Sequence, residues 1–137
     1  MRAPLLLAAL TLLGACASPL PAPDPQQAWV ELRSEPGDLL MAERLDGRRL
    51  NDGRYFQLAP GAHRLEASYR FEVQVGPLIG REPVQMLCYL RLDHDAFAAG
   101  ARYRLVARHY LFQPRLWLED ADGRRLAEGR ERHCIHQ

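Results

Sequence analysis

The chain has 137 residues, enough for one domain with a sizeable core, and its 18 basic residues are all arginine, set against 17 acids. The two signs are interspersed and nearly cancel. That excludes the basic excess on one face or tail that a general nucleic-acid binder carries, so no nucleic-acid partner is expected.

Residues 1–15 read as an export signal. Arg2 gives a short positive start, and residues 3–13 (APLLLAALTLL) form an apolar run too short to span a bilayer comfortably. The run ends in Leu13-Gly14-Ala15-Cys16, which resembles the lipobox of bacterial lipoproteins. By that resemblance, signal peptidase II cleaves before Cys16 and Cys16 carries the acyl chains. An ordinary secretory signal cut after Ala15 is the competing reading. Several acyl chains on one residue exceed the single-chain case, which binds a membrane only marginally. Ala17 and Ser18 follow, with no Asp to resemble an inner-membrane retention signal, so the expected location is the periplasmic side of the outer membrane. Loss of Arg2 with residues 1–15 leaves seventeen arginines against seventeen acids. Electrostatic steering towards an anionic polymer is then not expected.

Residues 17–27 (ASPLPAPDPQQ) hold four prolines and no apolar period. They read as an extended tether that, at about 3 Å per residue, would hold the domain roughly 30 Å from the membrane. Residues 29–32 make a first strand, and Glu35-Pro36-Gly37-Asp38 a turn. Residues 39–44 and 48–50 flank the hairpin signal Asp46-Gly47. Residues 55–58 form another short strand, closed by Ala59-Pro60-Gly61.

Residues 63–75 (HRLEASYRFEVQV) are the most informative stretch. Leu65, Ala67, Tyr69, Phe71, Val73 and Val75 alternate with charged and polar residues, the pattern of a strand with one face on a core and the other in water. Residues 76–83 (GPLIGREP) are a loop carrying Leu78 and Ile79. Residues 85–92 (QMLCYLRL) resume as a strand, apolar on both faces and so expected to be central. Residues 93–99 (DHDAFAA) read as a short helical turn with Asp93 as its cap. Residues 102–108 alternate again, 115–119 and 124–127 form a last hairpin, and the tail 128–137 is polar.

The expected fold is all-β: a single antiparallel β-sandwich, or partly open barrel, of about seven or eight short strands with one helical turn near 93–99. The expected organisation is a lipoprotein signal peptide over 1–15, a lipidated Cys16 and tether over 16–27, and a sandwich domain over 28–137.

Leu45-Asp46-Gly47, followed by YFQLAPGAHRLEASY over residues 55–69, resembles the core of PEGA-like domains, where a Pro-Gly turn, a His and an alternating strand close a small β-sandwich. AAGARYRLVAR over residues 98–108 is similar to the Gly-then-Tyr strand of small bacterial lipoproteins built on such domains. The likeness covers residues 29–127 and is one of turn chemistry. It implies an envelope-associated sandwich without catalytic activity and carries no binding residues across. The loop at 76–83 departs from it.

Past Cys16 two cysteines remain, Cys88 and Cys134, and in an oxidising compartment they are expected to pair. A bridge over 46 positions contributes about 4 kcal/mol by chain entropy before strain is subtracted. A buried free Cys88 beside a flexible Cys134, or an intermolecular bond, is the alternative. His133, Cys134 and His136, with Cys88 and His109, also have the chemistry of a metal set, but a disulfide removes both thiolates. Asp93, His94 and Asp95 have acid–base chemistry, yet such loops are commonly caps, and His63 after its Pro-Gly turn reads as structural. Trp29, Tyr55, Phe56, Tyr110, Phe112 and Trp117 are core or a sugar- or peptide-binding platform. The candidate binding surface is Leu78, Ile79, Tyr110 and Phe112.

No catalytic residue, metal ligand or cofactor is assigned. The expected protein is a non-enzymatic structural or interaction module, held to the membrane through Cys16, with an envelope protein or glycan as partner. A glycan- or peptide-binding module is the second expectation, and a metal carrier or small hydrolase the third.

Overall fold

The computed structural model describes residues 17–77 and 82–137. Ten strands follow in order: β1 (Ala28–Arg33), β2 (Leu39–Leu45), β3 (Arg48–Arg49), β4 (Tyr55–Leu58), β5 (Gly61–Val73), β6 (Val84–Phe97), β7 (Arg102–Tyr110), β8 (Gln113–Asp120), β9 (Arg125–Glu128) and β10 (Arg130–His136). They form two five-stranded sheets, β4-β1-β7-β8-β9 and β10-β6-β5-β2-β3. The all-β expectation holds, as an open sandwich and not a barrel.

Alternation dictates the core. Leu65, Ala67, Tyr69, Phe71 and Val73 of β5 face inward with Met86, Cys88, Leu90 and Leu92 of β6. They meet Val30, Phe56, Leu58, Tyr103, Leu105, Leu116 and Leu118 of the other sheet. Each large apolar side chain so buried contributes about 1.5–3 kcal/mol. Ser68, the one buried polar residue among those described, donates to Glu43 Oε1 at 2.6 Å.

The Asp46-Gly47 turn joins β2 to β3 with positive φ at both residues, 52° and 84°, as a two-residue hairpin of the primed type requires. Gly129 lies where the chain leaves β9 for β10 in the opposite sheet. A Cβ there would meet the Arg91 carbonyl at 2.9 Å and Leu116 at 2.8 Å.

Several expectations are corrected. The helical turn at 93–99 is instead the end of β6, which continues to Phe97 with an irregularity against Gly61 and His63. That extra residue breaks the alternation and makes the segment look like a cap and turn. The polar tail is β10, an edge strand paired with β6, so most of its side chains meet water. β6 therefore lies one place in from the edge, and its outward Leu87 and Tyr89 are only half-buried. Ten strands replace seven or eight. One pair, β1 with β7, is parallel (Val30↔Tyr103, Leu32↔Leu105), and the others are antiparallel.

Because β1 and β7 run the same way, both deliver the chain to one end of the sandwich. The β1–β2 turn at 34–38 and the β7–β8 hairpin share that end.

Candidate functional site

The β7–β8 hairpin turns in two residues, Leu111 and Phe112, between the paired Tyr110 and Gln113. Tyr110, Leu111 and Phe112 are 75%, 56% and 38% exposed. Leu111 has φ 51°, a left-handed conformation that costs an ordinary L-residue about 1–2 kcal/mol. The turn type would suit glycine, and an exposed leucine occupies it instead.

The surroundings brace this tip. His109 stacks on Phe71 with centroids 4.2 Å apart and planes at 19°. Its Nδ1 is 3.0 Å from the Leu111 carbonyl oxygen, which can only accept, so Nδ1 carries the proton. Its Nε2 faces Asp38 Oδ2 at 3.8 Å. The same oxygen accepts from the Tyr69 hydroxyl at 2.5 Å. Burial first, and the Asp38 acceptor second, push the Tyr69 hydroxyl well above its ordinary range. Core, Asp38, His109 and tip thus form one connected unit. Phe112 also meets His136 of β10 edge-on at 6.1 Å, and Arg108 pairs with Glu35 beside the tip.

Of the four residues expected to form a binding surface, Tyr110 and Phe112 stand at this exposed tip. Leu78 and Ile79 lie outside the described residues, as does Cys16. The flanks of the 78–79 segment, the ends of β5 and β6, open at the same end as the tip.

Residues 18–27, expected as an extended spacer, do not hang free of the domain. Arg54 Nη1 donates to the Ser18 carbonyl at 2.7 Å, and the Asp24 amide donates to Gln57 Oε1 at 3.1 Å. Arg54 is itself fixed by Asp52 at 2.7 Å. Gly100 N donates to the Gln27 carbonyl at 2.9 Å. Residues 18–27 therefore lie against the β4 side of the first sheet. Gln57 is level with Trp29, and Tyr55 with Glu31. Traced back from Asp24 to Ser18, the chain therefore heads the way β1 and β7 run, towards the end that carries Tyr110.

Cys88 and Cys134 are joined by a disulfide between directly opposed residues of β6 and β10, with Cα atoms 4.0 Å apart. Both thiolates weighed for a metal set are thereby taken. His133 stacks on Tyr89 at 4.8 Å on the outer face, and His109 is held at the tip.

Asp93, His94 and Asp95 line one open hollow of about 320 Å³ together with Asp46, His63 and Arg64. Asp93 points outward between Arg64 Nε and Arg91 Nε, each 3.0 Å away. His94 packs edge-on against Phe97 at 4.8 Å. His63 is structural: Nδ1 lies 2.6 Å from Asp46 Oδ2, and Nε2 2.7 Å from the Ala59 carbonyl. Asp46 Oδ1 accepts the Arg64 amide at 2.8 Å. Burial raises the Asp46 carboxyl, but the Arg64 amide and then His63 outweigh it and hold the group below its ordinary value.

The expected aromatic platform is dispersed. Trp29 is 7% exposed and stacks on Tyr55 at 4.4 Å, Phe56 is in the core, and Trp117 lies under the Arg125 guanidinium at 4.3 Å. An open groove of about 610 Å³ lies on the outer face of the β10-β6-β5-β2-β3 sheet, lined by Glu43, Arg44, Arg49, Glu66, Tyr89 and His133 among others. Reasoning from sequence alone missed His109 as the brace, Leu111 as the strained residue, and Arg54 and Gln57 as the tether's grips. The Tyr-Leu-Phe run between two alternating strands was the one available signal.

Comparison with protein-family models, with curated proteins and with solved structures finds no match to this chain. The likeness to PEGA-like domains rests on the turn residues quoted above.

Proposed function

We propose that the protein is an outer-membrane lipoprotein of the periplasmic face, acylated at Cys16, whose sandwich is a non-enzymatic structural or interaction module of the envelope. The observation that carries this reading is the continuity from lipobox to domain. The residues just past Cys16 are gripped by the folded body, through Ser18 on Arg54 and Asp24 on Gln57. An anchor at Cys16 would therefore orient the domain as well as retain it. Asp93, His63 and His94, weighed for catalysis or as structural, are occupied in ion pairs, hydrogen bonds or packing, in keeping with a scaffold.

Density-gradient fractionation of the envelope tests the reading, with Cys16→Ala as control. The intact chain is expected with the outer membrane, and the variant in another fraction. Equal distribution of the two would refute the anchor.

A second reading, a module for an anionic glycan or peptide, is favoured by the groove on the outer face. Arg44 and Arg49 lie directly opposite each other there, a like-charge pair that an anion would relieve beyond what Glu66, facing Arg44 from β5, supplies. Calorimetric titration with soluble carboxylated oligosaccharides, against Arg44→Gln/Arg49→Gln, separates this reading from the first.

A further inference from the structure

We propose that the Tyr110-Leu111-Phe112 end of the sandwich is a membrane-contact surface, seated in the interface of the same bilayer that holds the anchor. The proposal deepens the lipoprotein reading and rests on it. Three observations point there.

Exposed apolar side chains are gathered at one end. The large ones among the described residues are Leu20, Leu39, Tyr110, Leu111, Phe112, Leu126 and Ile135. Three make the tip. Leu39 and Ile135 belong to one transverse row on the outer face near it, Ile135↔Leu87, Leu87↔Arg70 and Arg70↔Leu39. Arg70 adjoins Phe71, the ring on which His109 stacks, so this row lies just behind the hairpin. A soluble surface scatters such residues singly, whereas a cluster marks a contact.

The residue types suit a bilayer interface. Tyr and Phe with a central Leu place apolar bodies in the acyl boundary and a hydroxyl among headgroups. Arg70 and Arg115 near the tip make no ion pair among the described residues, and arginine stems beside an apolar patch leave their charge free for phosphates.

The tip is also held in shape, by the His109 bond to the strained Leu111 turn. Strain that the surroundings enforce at an exposed position is a mark of function.

The test uses the full acylated chain in vesicles of phosphatidylethanolamine and phosphatidylglycerol, with Tyr110→Trp as the probe and the unaltered chain giving the Trp29 and Trp117 background. With brominated acyl chains, the added indole should lose about half its emission or more, as a group lying about 5–10 Å into the headgroup–acyl boundary would. An indole that brominated lipid leaves unquenched overturns the proposal. If its emission then shifts to the blue with rising protein concentration, a second copy covers the tip and no bilayer does. The mass of the same sample reports acylation separately. Quenching without acyl mass refutes the anchor and supports the contact surface; acyl mass without quenching does the reverse.

Discussion

Leu111 and Tyr69 are coupled through two side chains, and each has its own consequence. Replacing Leu111 by glycine removes the left-handed strain and is expected to raise stability by about 1 kcal/mol, a rise of about 3–5 °C in thermal midpoint. A midpoint that falls would show that the leucine is packed for stability. Tyr69→Phe keeps the ring in the core but leaves Asp38, largely buried, without its 2.5 Å donor. A loss of about 2 kcal/mol in denaturant unfolding is expected, with a smaller loss for Tyr69→Phe in an Asp38→Asn background. Equal losses in the two backgrounds would mean that the bond contributes nothing. Neither effect was legible in the sequence. A positive φ at leucine has no residue signature, and Asp38 reads there only as part of a Glu-Pro-Gly-Asp turn.

Among the elements, legibility followed the clarity of alternation. β5 declares itself through six apolar residues at every second position, and β4 was delimited at both ends by turn residues. β10 was hidden because an edge strand presents mostly polar side chains, leaving Cys134 as its strongest inward mark. The end of β6 was hidden because its irregularity puts two exposed residues, Asp95 and Ala96, in succession. The cysteine pair was foreseen from compartment chemistry, and the register supplies its geometry: Cys134 directly opposes Cys88. Reduction, or Cys134→Ser with Cys88→Ser, is expected to lower unfolding stability by about 2–4 kcal/mol. Because β10 also keeps its ladder to β6, the alternate β10 amides that bond to β6 should exchange slowly in the oxidised protein, and the ones between them, which face solvent at the sheet edge, should exchange fast. Fast exchange at every β10 amide with the bridge intact would contradict the pairing. The tether's docking was illegible for another reason. Its contacts reach residues 36 and 33 positions away, and proline-rich composition alone describes a spacer.

At the scale of the molecule, the charges act through many small terms. Asp46, Asp52, Asp93 and Asp120 all lie below their ordinary values. At Asp46 and Asp93 burial opposes the shift, and amide or arginine partners overcome it; at Asp52 and Asp120 hydrogen bonds from Arg54 and Arg124 lead. The unfolded chain therefore takes up protons first as pH falls, so their stabilisation is complete above the unfolded carboxylate range of about 4 and is lost as pH drops through the lower folded values. Thermal midpoints should be level from near-neutral pH down to about 5 and decline below about 4. A midpoint that rises on acidification would contradict these pairings. The same body gathers Tyr110, Leu111 and Phe112 at one end and holds residues 18–27 against its β4 side. The most direct test is the intact mass of protein purified from membranes, with and without reduction before thiol alkylation. The account predicts a chain beginning at an acylated Cys16, with two thiols that label only after reduction. An unacylated chain with two freely reactive thiols would contradict both the anchor and the bridge.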